Sequence, residues 1–188
     1  MARKLATAQT FAVTALADGG GWQTGDMRSW QVGGAVIEGD AGLLLVQNKR
    51  RDGRLDWSTP GGVIDPGETV LEGLAREVAE ETGLMVAEWS GPVYDIEVLA
   101  PDLGWDLRVE VHRAASVRGE LVIDDPDGIV VDARYVATHA CGSHLEQAPV
   151  WVREPLHAWL AERWEAGRTF RYRVDGKDLR SLVVTALP

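Results

Sequence analysis

Residues 61–84 read GGVIDPGETVLEGLAREVAEETGL, and this stretch decides the fold. It opens as a glycine-rich loop behind Trp57 and Pro60 and continues as a short helix. Both helix ends are written in the sequence. Thr69, followed three residues later by Glu72, is a capping box: hydroxyl and carboxylate each satisfy an orphan backbone N–H. Gly83 stands where a left-handed cap ends a helix. Between them Val70, Leu71, Leu74, Ala75, Val78 and Ala79 recur at helical spacing and predict one apolar stripe. At about 100° per residue, Glu77, Glu80 and Glu81 share one arc. Glu77 and Glu81 fall at the edge of the stripe.

That placement needs a physical reason. Like charges one helical turn apart repel by about 0.2–0.5 kcal/mol, and partial burial raises the cost. A divalent cation reverses the sign, because hard cations such as Mg2+ take carboxylate oxygens. Arg76 follows Glu72 by one turn, the favourable order for an ion pair, and also reaches Glu80. The competing reading is an acidic, solvated helix face.

The spacing is more specific than the charge. Gly62, five residues, Glu68, seven residues and then REVAEETGL at 76–84 resembles the Nudix box at every defined position. The resemblance implies an α/β/α sandwich with a mixed β-sheet. It implies a hydrolase of nucleoside diphosphates linked to another moiety, using Mg2+ or Mn2+. Glu77, Glu80 and Glu81 would hold the metal with the backbone of Gly61, and Arg76 would orient one of the acids. Gly62 and Glu68 would shape the loop. Glu77, Glu80 and Arg76 are then the catalytic candidates. Water would attack phosphorus, with one of these acids or one from a later loop handling its proton. Asp124, Asp125 and Asp127 are the nearest candidates for that further acid; the other reading is a turn.

The bulk composition suits a small-molecule enzyme. A chain of 188 residues is long enough for one well-buried domain. A formal charge of −10 argues against nucleic acid or an anionic membrane as partner. It leaves room for a small-molecule nucleotide, since bound metal inverts the local field. The single cysteine, Cys141, excludes an internal disulfide and fits a reducing cytoplasm. No apolar run approaches membrane-spanning length.

Residues 10–16 read as a strand rather than a signal peptide, because threonines interrupt the apolar run. Residues 18–26 form a glycine-rich loop. Strands are expected at 30–37 and 42–47, across a turn at 38–40. The run 43–46 is apolar on both faces and belongs in mid-sheet. Residues 48–56 form a charged loop. It is either solvated or a phosphate clamp in which Arg50 and Arg54, with Trp57 nearby, are candidate substrate contacts. Strands follow at 93–99, 107–112, 120–123 and 130–136. A helix at 150–164 is stopped by Gly167. A hairpin at 170–184 turns at Asp175-Gly176.

One Nudix domain is expected, with its core at about 28–166, an N-terminal strand extension and a C-terminal β-hairpin. The two ends are open either to extending the sheet or to building a homodimer interface. His112 is expected at the surface. His139 and His144 flank Cys141, but a lone Cys-x-x-His is a poor zinc site. Most of the tryptophans belong in the core, while Trp57 and Trp105 are open to stacking on a base. Oxidised or ordinary nucleoside triphosphates and ADP-ribose-like nucleotide sugars are all open as substrates. Two alternatives stand beside the hydrolase. One is a non-catalytic Nudix sensor that binds a nucleotide. The other is an isoprenoid diphosphate isomerase, whose catalytic cysteine precedes the box, whereas Cys141 follows it.

Overall fold

The computed structural model describes residues 27–50, 52–165, 167–178 and 181–188. The strand and loop expected at 10–16 and 18–26 lie outside them. The elements in order are β1 (Arg28–Val36), β2 (Glu38–Gly39), β3 (Gly42–Lys49), β4 (Leu55–Ser58), β5 (Gly61–Val63) and α1 (Val70–Thr82). Then come β6 (Met85–Ala100), β7 (Trp105–Arg118), β8 (Val130–Val136), α2 (Cys141–His144), α3 (Val150–Glu162), β9 (Arg168–Asp175) and β10 (Val183–Leu187).

A six-stranded mixed sheet runs β10-β9-β6-β7-β1-β5. β1 is parallel to β7 and antiparallel to β5. A smaller sheet runs β2-β3-β4, with β8 bonded to the other side of β3. β1 and β3 divide two cores. Val32 and Val36 pack in a layer with Trp151, Leu156 and Trp159 of α3. Ala35 and Ile37, on the alternate face, pack with Leu74 and Val78 of α1. Leu43 and Leu45 join the first layer and Leu44 the second, so the run at 43–46 is buried on both faces as expected. Burial of Leu74 and Val78 contributes about 1.5–3 kcal/mol each and fixes α1 against β1. Leu74 approaches so closely that a Cβ on Gly33 would lie 3.0 Å from its own.

The structure corrects several expectations. The strand at 93–99 begins at Met85, because Met85–Ser90 also pairs with β7 through register shifts that break the alternation. No strand forms at 120–123; the Val122 N–H instead donates to the Thr82 carbonyl at 2.9 Å and ties this segment to the end of α1. α3 ends before Gly167: Arg163 itself is left-handed, at φ 55° and ψ 39°, and its N–H donates to the Trp159 carbonyl. His112 is buried rather than at the surface, with its Nε2 3.4 Å from Oε2 of Glu110. Trp105 is 2% exposed and belongs to the core, so it presents no face for a base. The C-terminal hairpin forms and joins the large sheet, with β9 parallel to β6. No helix among the described residues is long and apolar enough to cross a membrane.

Candidate active site

α1 is capped at both ends as its sequence predicts. Thr69 Oγ1 accepts the Glu72 N–H at 3.3 Å, and Glu72 accepts the Thr69 N–H at 2.8 Å. Gly83 is left-handed, at φ 72°. The cap occupies the Glu72 carboxylate, and Arg76 turns elsewhere. Its guanidinium takes both oxygens of Glu68 at 2.9 Å, the Val63 carbonyl at 3.1 Å and Glu77 at 2.5 Å. Glu80 lies 3.5 Å from the same group. One planar cation therefore joins the loop to the acids of the helix, with the bidentate geometry that arginine favours. These bonds, those to Glu68 foremost, hold its proton more firmly than usual.

Glu81 is the most constrained acid. It is 2% exposed. Its Oε2 accepts the Gly61 N–H at 2.9 Å, while Oε1 is buried with no hydrogen-bond partner. Burial pushes its carboxyl well above the usual range; the Gly61 N–H opposes this, and Glu77, Asp125 and Glu80 add to it. The two glycines of the loop are spaces for other atoms. A Cβ on Gly62 would lie 2.2 Å from Oε2 of Glu77, and one on Gly61 2.2 Å from the Gly33 carbonyl oxygen. Gly33 and Gly34, paired with Gly62 and Gly61 across the sheet, are site residues the sequence reading missed. The signal was present, since glycine inside a strand marks close approach of another chain segment.

Asp125 holds its own loop, accepting N–H groups from Asp127 at 3.0 Å, Ile129 at 2.7 Å and Val130 at 2.8 Å. It also bears electrostatically on Glu81, so this turn is both a structural clamp and a neighbour of the acids. Asp124 and Asp127 are exposed. Arg50 is buried in a bidentate pair with Asp56, both bonds at 2.6 Å. Arg54 is exposed and pairs with Asp52. Trp57 is half-buried, with the Arg134 guanidinium over its ring at 5.1 Å and His144 against it at 5.4 Å. A shallow groove of about 280 Å3 beside it is lined by Gln47, Asp56, Ser143, His144 and Gln147.

Cys141 is fully buried, its Sγ 3.7 Å from the Val136 and Ala137 carbonyls. Burial pushes its thiol upward, away from nucleophile chemistry. Cys141→Ser is expected to cost about 1 kcal/mol of stability and to leave turnover per folded molecule unchanged. Denaturation and rate assays at matched folded fraction check this. An inactive but folded variant would move the chemistry away from α1.

No preassembled cluster of three or more His, Cys, Asp or Glu forms a metal cage among the described residues. The donors nevertheless fit a hard divalent cation. A fully buried carboxylate with one orphan oxygen needs a proton or a cation, and Glu77 and Glu80 are oxygen donors on the same arc.

A mixed α/β sandwich carrying acids on a capped helix against a glycine loop defines a class. The chain belongs to the NUDIX family: the NUDIX domain matches residues 27–160. Among curated relatives, human 8-oxo-dGDP phosphatase NUDT18 is 50% identical over 42 residues, 22% of this chain and 13% of that protein. The ADP-ribose pyrophosphatase of Methanocaldococcus jannaschii is 42% identical over 50 residues, 27% of this chain and 30% of that protein. The chain thus spans less than a third of either relative. The solution structure of the E. coli ORF135 protein superposes with a TM-score of 0.58 at 22% identity, covering 73% of this chain and 92% of that one. This last likeness is one of fold.

Proposed function

We propose that the protein is a divalent-metal-dependent hydrolase of the diphosphate linkage in a nucleoside diphosphate joined to another moiety. The observation that carries the reading is Glu81: a fully buried carboxylate, anchored by the Gly61 N–H, with its other oxygen unpartnered. Glu77, Glu80, Glu81 and the Gly61 backbone would hold Mg2+ or Mn2+. When bound, such an ion neutralises charge on the diphosphate oxygens and lowers the pKa of water.

The protein groups have separate tasks. Arg76 fixes the direction of the Glu77 carboxylate. Gly62 keeps the space in which that carboxylate lies. Asp125, held by three backbone N–H groups, keeps its loop beside Glu81 and is the further acid we assign to orienting the water. Of the basic loop, exposed Arg54 is the phosphate contact, while Arg50 acts through Asp56 by holding β4. The second moiety lies by Trp57, in the groove whose amide, hydroxyl and carboxylate groups suit a sugar. Trp57 precedes Gly61 by four residues, about 14 Å of chain at most, within reach of a linked diphosphate.

The test is a panel of ADP-ribose, dGTP and 8-oxo-dGTP, read by release of phosphate or nucleoside monophosphate with Mg2+ and with EDTA. Mg2+-dependent turnover of at least one is expected, together with a rise of several degrees in melting temperature with Mg2+. No turnover and an identical melting temperature in EDTA and millimolar Mg2+ would overturn the assignment. Stabilisation by Mg2+ and nucleotide without turnover would make the protein a sensor instead.

A further inference from the structure

We propose that the cleft at the C-terminal end of α3 is a second ligand site, one that takes a phosphate or phosphate monoester. The cleft has a volume of about 390 Å3, within the range of small-molecule sites. None of the α1 acids lines it, and it stands whether or not those acids hydrolyse a diphosphate.

Two guanidinium groups converge on it, with Glu38 between them. Arg113 of β7 donates through Nε to Oε2 of Glu38 at 2.9 Å, and Arg163 donates through Nη1 to Oε1 at 2.6 Å. One carboxylate therefore bridges two guanidinium groups from distant parts of the chain, the position an oxyanion would take. A guanidinium carries five N–H donors. Arg163 uses Nε on the Leu160 carbonyl at 3.2 Å, which leaves donors on both arginines for a ligand. The Arg163 guanidinium lies over the Trp159 ring at 4.4 Å, a stacking that keeps its edge available for in-plane bonds.

Two further features mark the cleft. Trp159 is 4% exposed, yet its indole Nε1 is buried with no hydrogen-bond partner. Trp164, also at the cleft, donates its own N–H to the Val93 carbonyl at 2.6 Å. Arg163 holds a left-handed backbone at φ 55°, where glycine or asparagine ordinarily ends a helix. Strain of this kind persists where surrounding contacts over-determine it and collects at functional positions. Here it delivers the guanidinium to both Glu38 and Trp159. Glu38 reads as an internal carboxylate occupying the oxyanion position, and the other acid at the rim, Glu165, is exposed.

The test uses the full chain in EDTA, so that no metal carries phosphate to the α1 acids. Inorganic phosphate and AMP are titrated separately against 15N-indole-labelled protein, with chloride as control. The indole resonance that disappears in Trp159→Phe is expected to move with phosphate and not with chloride. Glu38→Gln removes the internal competitor and is expected to tighten phosphate at least tenfold. Arg113→Ala in the same background removes the gain. Glu81→Gln is expected to leave the titration unchanged. AMP binding more tightly than phosphate identifies a nucleotide as the ligand; equal binding identifies the phosphate group alone. A Trp159 resonance that stays still with both probes in the wild type overturns the proposal. So does a response that is lost in Glu81→Gln. The wild-type titration decides the matter even where a variant folds poorly.

Discussion

Glu81→Gln is expected to stabilise the metal-free protein while destroying its activity. Burial holds the native carboxyl well above the ordinary glutamate value of 4.5. Below that value both folded and unfolded states hold the proton, and no penalty exists. As pH rises, the unfolded chain releases its proton while the native state keeps it, so stability falls with rising pH until the native group titrates. The loss is at most about 1.4 kcal/mol per pH unit in that window. Glutamine removes it while preserving the acceptor for the Gly61 N–H. The variant is therefore expected to be more stable than the wild type at neutral pH in EDTA, and to lose that advantage as pH falls below the ordinary carboxylate range. Catalysis is expected to fall by on the order of a hundredfold or more, through loss of a metal ligand. Melting curves against pH with EDTA and with Mg2+, beside initial rates, check both halves. A stability difference that does not change with pH would contradict the buried-acid account.

The neighbouring glycines are expected to fail in opposite ways. In Gly62→Ala the new Cβ meets Oε2 and Cδ of Glu77 at 2.2 and 2.3 Å. Those atoms end a flexible side chain, so the carboxylate swings aside and the fold loses about 1 kcal/mol or less. The acid is then no longer aimed, and activity is expected to fall by on the order of a hundredfold. In Gly61→Ala the new atom meets the Gly33 carbonyl oxygen at 2.2 Å and the Gly34 Cα at 3.0 Å, at a φ of 142°. Backbone cannot swing aside, and a loss of about 3 kcal/mol is expected. Urea denaturation and the rate per folded molecule separate the two. Equal stability losses would mean that Glu77 does not lie where the structure places it.

The site and the fold were legible to different depths. Helix α1 was readable to its caps, because capping boxes and left-handed glycines are local chemistry, complete within a few residues. The double-sided burial of 43–46 was readable because a run of apolar residues has no other use in a sheet. The partner of Arg76 was not: helix spacing offers Glu72, but the cap had already taken that carboxylate, and Glu68 arrives from the loop. His112 was misread for a related reason. Its strand alternates cleanly in sequence, yet the neighbours Val111 and His112 are both buried, which alternation does not reveal. The end of α3 was missed because a glycine stood nearby and an arginine in the left-handed region is rare. The charged loop could be read as basic, but not that Arg50 would turn inward to Asp56.

The Arg76 bonds have a consequence for sequence length. Exposed loops ordinarily accept insertions, because little depends on where their ends fall. The segment between Val63 and Glu68 is exposed in part, yet it is pinned at both ends by one side chain: the Val63 carbonyl and the Glu68 carboxylate meet the same guanidinium that holds Glu77. The gap between loop and helix is thus the width of a single rigid group. Adding or deleting one residue here displaces an acid on the far side of that group, so this surface loop has the length tolerance of a buried strand.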